Sequence, residues 1–148
     1  MPDARPPRRG GPAAVDLLAQ ARHGLLEAVT LSRAAERYAT AHLAALRTAA
    51  AILAARTRPD SGQRRRSGPR NAWTLLAEVA PELAEWAAYF AAGAGKRAAA
   101  EAGVPSAVTD READDLLRDV ETFLAVAATT LGVPHQPVLP GALSRQAG

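Results

Sequence analysis

Residues 109 to 132 read T-D-R-E-A-D-D-L-L-R-D-V-E-T-F-L-A-V-A-A-T-T-L-G, and both ends of a helix are written in them. Thr109 and Glu112 stand three apart, the spacing of a capping box, in which hydroxyl and carboxylate each satisfy an orphan backbone N–H. Gly132, with Pro134 beyond it, supplies the stop. Between these marks Ala113, Leu116, Val120, Phe123, Ala127 and Leu131 fall on one seam at helical spacing. Asp110, Glu112, Asp114 and Asp115 crowd the first turns, where the positive end of the helix dipole favours them.

The same period runs back toward the N-terminus. Residues 14–29 place Leu18, Ala21, Leu25 and Val29 on one face and Asp16, Gln20, His23 and Glu27 on the other. A second helix over 32–57, capped by Ser32, carries Ala35, Tyr38, His42, Leu46, Ala49 and Leu53 on one stripe; Arg33, Arg37, Thr40, Ala44 and Arg47 line another face. So short a connection folds the first two helices into an antiparallel hairpin. A third stretch, capped by Asn71, aligns Trp73, Leu76, Val79, Leu83, Trp86, Phe90 and Gly93. Pro81 lacks an N–H, so this helix kinks or restarts near residue 80. Gly93 and Gly95 read as a point where another helix backbone approaches closely or, alternatively, as a weakened, bending helix end.

Composition agrees with helices alone. Alanine, the best helix former, accounts for 37 of 148 residues, whereas there are nine Val, one Ile and two each of Phe, Tyr and Trp from which to build a sheet. The expected fold is all-α: an up-down four-helix bundle, with four to five helices if the third breaks at Pro81. Residues 1–13 and 133–148, rich in Pro and Gly without a periodic apolar face, are expected to be disordered tails around a folded unit at 14–132. Residues 58–70, R-P-D-S-G-Q-R-R-R-S-G-P-R, are expected to be a mobile basic loop.

Several function classes fall away. There is no cysteine, and the histidines at 23, 42 and 135 are too scattered for a zinc site, so neither metal nor other cofactor is expected. No G-x-G-x-x-G or P-loop occurs. The longest apolar run, Trp86 to Gly95, is ten residues, too short to span a bilayer, and no secretory segment follows Arg8-Arg9; a cytoplasmic protein without a membrane partner is expected. Glu78, Glu82 and Glu85, at i, i+4 and i+7, read as a solvated helix face rather than paired catalytic carboxylates. Charge is unevenly spread: residues 56–70 hold six Arg and one Asp (+5), residues 110–121 six acids and two Arg (−4). Either these are solvated surfaces, or the Arg loop meets an anionic partner.

Three segments together carry a resemblance. E-R-Y-A-T-A-H-L-A-A-L-R at 36–47, W-T-L-L-A-E-V-A-P-E-L-A-E-W-A-A-Y-F at 73–90 and R-E-A-D-D-L-L-R-D-V-E-T-F-L at 111–124 resemble the HEPN superfamily, and within it small stand-alone helical proteins of high-GC bacteria. The resemblance spans about 14–132 and implies a helical bundle, commonly dimeric. It also implies one of two modes of action: metal-independent RNA cleavage by an R-x(4–6)-H motif at a composite dimer site, or binding and scaffolding without catalysis. Arg37 and His42 match the motif, with four residues between them. If the chain were a ribonuclease, the 2′-OH would attack the adjacent phosphate with His42 as general base or acid, and Arg37 would stabilise the phosphorane. Five residues of helix turn the chain by about 140°, however, which sends the two side chains to different faces. His42 also lies on the apolar stripe, where a core histidine held by one hydrogen bond is the simpler reading. Arg70-Asn71 opens the third helix as R-N does in nuclease members, yet no His follows within Ala72, Trp73, Thr74, Leu75, Leu76 and Ala77.

The expectation is a non-enzymatic binding or accessory module for nucleic acid, or for a protein of nucleic-acid metabolism such as a DNA-replication or repair protein, acting as a homodimer. Arg64, Arg65, Arg66 and Arg70 are the expected contacts to RNA or another nucleic acid. The alternatives are a metal-independent, toxin-like endoribonuclease using Arg37 and His42, and an inert structural dimerisation domain.

Overall fold

The computed structural model describes residues 11–57 and 69–139, and among them finds six α-helices, one 3-10 turn and no strand. The helices are α1 (Pro12–Thr30), α2 (Ala34–Arg56), α3 (Pro69–Val79), α4 (Ala84–Ala92), α5 (Ala94–Glu101) and α6 (Asp110–Leu131); the 3-10 turn, Pro81–Leu83, links α3 to α4. The chain is an all-α helical bundle. Helix α1 folds back along α2, and α2 also packs against α6, α5 and α3, so α2 is the central element.

Centrality explains the composition of α2. It is long and apolar enough to cross a membrane by those criteria alone, but half of its most apolar window is buried within the bundle. Its buried positions are Tyr38, Ala41, His42, Ala45, Thr48, Ala49 and Ile52 on one side and Ala44 and Ala51 on another. The expected stripe through Leu46 and Leu53 is thus displaced by about one position, and both leucines are only half-buried. Ala44, expected on a polar face, is fully buried because α1 lies there: a Cβ built on Gly24 would sit 3.6 Å from that of Ala44. Small residues on both helices permit this approach, which each buried methyl stabilises by about 0.8 kcal/mol.

Local punctuation behaves as its chemistry requires. The Thr109 hydroxyl accepts from the Glu112 N–H at 3.0 Å while the Glu112 carboxylate accepts from the Thr109 N–H at 2.9 Å, and Gly132 ends α6 with φ +70°. All six expected seam residues of α6 are buried. At the proline the helix breaks: Ala80 takes φ −130° and ψ 75°, outside the α region that a following proline disfavours, and the chain restarts through the 3-10 turn. Arg56, the last residue of α2, straddles this break, pairing with Glu82 at 2.7 Å.

Three local expectations need correction. Ser32 does not cap α2: Arg33 is the N-cap and makes no side-chain cap bond, and the Ser32 carbonyl is instead taken up by Arg37. Helix α3 begins at Pro69, two residues before Asn71, because a proline at the first helical position has no N–H to leave unpaired. Residues 133–139, expected to belong to a disordered tail, lie as a strap on the bundle. Both Glu121 oxygens hold it, one accepting from the Val138 and Leu139 N–H groups at 2.7 and 3.0 Å and the other meeting His135 Nε2 at 2.8 Å. The rest of the expected tails, 1–10 and 140–148, and most of the basic loop, 58–68, lie outside the described residues.

Candidate functional site

The two motif residues leave α2 in different directions and share no partner. Arg37 points to the start of α6. Its Nη1 donates to the carbonyls of Leu31 and Ser32 at 3.2 and 2.8 Å, and its Nη2 to Asp110 at 2.9 Å. The buried Nε lies 3.4 Å from Asp114, an ion-pair contact without hydrogen-bond alignment. With its side chain only 11% exposed, the guanidinium ties the α1–α2 connection to α6. It is a planar fork matched to two carbonyls and two carboxylates.

His42 turns to the core. It is 1% exposed, stacked on Tyr38 and set edge-on to Trp73 and Phe90, with centroids about 6 Å apart in each case. Nε2 lies 2.8 Å from the Phe90 carbonyl. A carbonyl only accepts, so Nε2 carries the proton and Nδ1 keeps the lone pair, buried without a hydrogen-bond partner among the described residues. Burial lowers the imidazole pKa, against the opposing pull of the Phe90 carbonyl, so the ring is neutral near pH 7. This is the geometry of a core histidine held by one hydrogen bond.

Gly93 belongs to the same pocket of the core. A Cβ there would fall 2.8 Å from Tyr38 Oη and 3.5 Å from His42. The close approach is to side chains of α2, not to a helix backbone, and Gly95 has nothing within 4 Å. Above it Lys96 bonds Glu112 at 2.7 Å, which raises the lysine pKa and lowers that of the carboxylate. Tyr38, buried beneath, has its phenol pKa raised chiefly by burial.

Of the other candidate residues, Arg64, Arg65 and Arg66 lie outside the described residues, and Arg70 is placed only as backbone in the first turn of α3. Glu78, Glu82 and Glu85 are exposed, and the break at Pro81 separates them into different elements. His23 is exposed.

Two features of the structure are not evident from the sequence. Glu121 belongs by sequence to the acidic cluster, yet it is nearly buried at 9% exposure and binds the strap. The signal was there, since it stands four after Leu117 and three before Leu124 on an apolar face. Tyr89 is 46% exposed and donates a hydrogen bond to Asp119 across to α6. Nothing in the spacing of residues 30 apart announces that pair.

No curated protein and no solved structure matches the chain. The family model of the HEPN_SAV_6107-like HEPN proteins matches residues 28–128, which takes in the end of α1, all of α2 to α5 and most of α6. The matched region is more than two thirds of the sequence, and the chain belongs to the HEPN_SAV_6107-like HEPN family.

Proposed function

We propose that the chain is a non-catalytic HEPN module that acts by binding, and that its ligand is nucleic acid. The enclosure of His42 carries this reading. With Nε2 engaged on the Phe90 carbonyl and the ring 1% exposed, the imidazole has no access to a ribose hydroxyl or a scissile phosphate. Arg37, which a nuclease would direct at the phosphorane, is already held by Leu31, Ser32, Asp110 and Asp114. Support for the ligand is electrostatic: six Arg against one Asp in residues 56–70 favour a polyanion through counterion release. Family membership supports action as a homodimer, which sedimentation equilibrium measures.

The test has two arms. Single-stranded RNA incubated with the chain in EDTA is expected to stay intact; cleavage that His42→Ala abolishes would reinstate the endoribonuclease. A labelled oligonucleotide titrated against salt is expected to bind more weakly as salt rises. Replacing Arg64, Arg65 and Arg66 by Ser should reduce the slope of log K against log salt by about 2 to 3. An unchanged slope removes the basic segment from the interface.

A further inference from the structure

Four side chains outside the reading above line one open recess of about 310 Å³: Glu85, Trp86 and Tyr89 of α4 and Asp119 of α6. Trp86 is fixed by the core, stacked on Phe90 with centroids 5.9 Å apart and planes 17° apart, and set against Phe123 at 5.4 Å. Tyr89 donates its phenol to Asp119 Oδ2. Burial first and that carboxylate second push the phenol pKa up, so the hydroxyl remains a donor and Asp119 remains the acceptor.

A phenol neutralises no charge. Asp110 and Asp114 face Arg37, Glu112 faces Lys96 and Asp115 faces Arg118, whereas neither Asp119 nor Glu85 has a cationic partner among the described residues. The recess therefore combines a rigid aromatic face with two carboxylates that have no counter-ion among the described residues. Such walls repel phosphates and carboxylates. They favour a flat cation, which can lie on the indole and direct paired N–H donors at a carboxylate. An ammonium offers the charge without the plane.

We infer that this recess receives an arginine side chain presented by a protein partner, its guanidinium on Trp86 and its fork toward Asp119, with Glu85 adding charge at the rim. The site uses none of the residues assigned to nucleic acid, so the two readings stand or fall separately.

The experiment titrates the full chain with a blocked, otherwise uncharged peptide bearing one central arginine, and with its neutral citrulline counterpart. Binding is followed by the NMR shift of the Trp86 indole N–H. Trp73, 4% exposed in the core, is the internal control. The Trp86 signal is expected to move saturably with the arginine peptide while Trp73 stays still. Asp119→Asn should weaken binding by about tenfold and Glu85→Gln by about threefold; Glu85 is exposed and Asp119 half-buried, and the asparagine keeps an oxygen that accepts from Tyr89. Three results overturn the proposal: no movement of Trp86 up to about 10 mM peptide, equal binding of the citrulline peptide, or unchanged affinity in Asp119→Asn. If the peptide-free chain self-associates through this recess, and replacing Arg64, Arg65 and Arg66 by Ser abolishes the association, the occupant is a second copy and the partner reading is likewise overturned.

Discussion

His42 shows how one side chain can match a motif and serve packing. Its ring is held neutral by burial, with its pKa below the ordinary 6.5. As pH falls through about 6.5, the unfolded chain takes up a proton that the folded His42 resists. Stability is therefore complete above that pH and declines toward the lower folded pKa, by at most about 1.4 kcal/mol per pH unit. Urea midpoints measured from about pH 7.5 down to pH 5.5 are expected to fall in the native chain and to fall less steeply in His42→Leu. Equal slopes would mean that the buried ring does not resist the proton. His42→Ala, which also opens a cavity among Tyr38, Trp73 and Phe90, should cost about 3 kcal/mol.

At the scale of elements, two glycines two residues apart separate close approach from mere weakness. Helix α4 ends at Gly93, against Tyr38 and His42, and α5 begins just beyond it. Gly93→Ala would drive a methyl into a phenol that is 7% exposed and stacked on an imidazole. The resulting overpacking should outweigh the helix propensity gained and leave the variant about 1 kcal/mol less stable. Gly95→Ala meets open space and should stabilise by about 0.5 kcal/mol or more, both read from urea midpoints. The strap at 133–139 depends on Glu121 in a comparable way. Glu121→Ala removes the acceptor of the Val138 and Leu139 N–H groups together with the His135 contact. Hydrogen exchange at those two amides should then approach the unprotected rate while the amides of α6 around Phe123 keep their protection. Retained protection at Val138 and Leu139 would mean that apolar contact, not the carboxylate, seats the strap.

For the molecule as a whole, Arg37 joins the first hairpin to the last helix. Arg37→Ala should cost about 1 kcal/mol in urea unfolding through the carbonyl and carboxylate bonds it forfeits. Arg37→Lys should recover little, because one ammonium cannot span both sets of acceptors. Sequence alone determined whatever depends on neighbours along the chain. The capping box at Thr109, the break before Pro81, the stop at Gly132 and the period of the α6 seam each follow from bonds within a few residues, and together they make the chain all-α. The candidate site was legible as residue types: Arg37 and His42 were found by spacing, and the 140° turn between them already separated their directions. Their partners were not legible. Asp110 is 73 residues from Arg37 and Phe90 is 48 from His42. Only tertiary structure decided that Arg37 is a tie and His42 a core group, that Ala44 faces α1, and that Glu121 seats a strap. Periodicity states that a helix has an apolar face; which other helix covers it, and whether a second face is covered too, is fixed by how the helices close on one another.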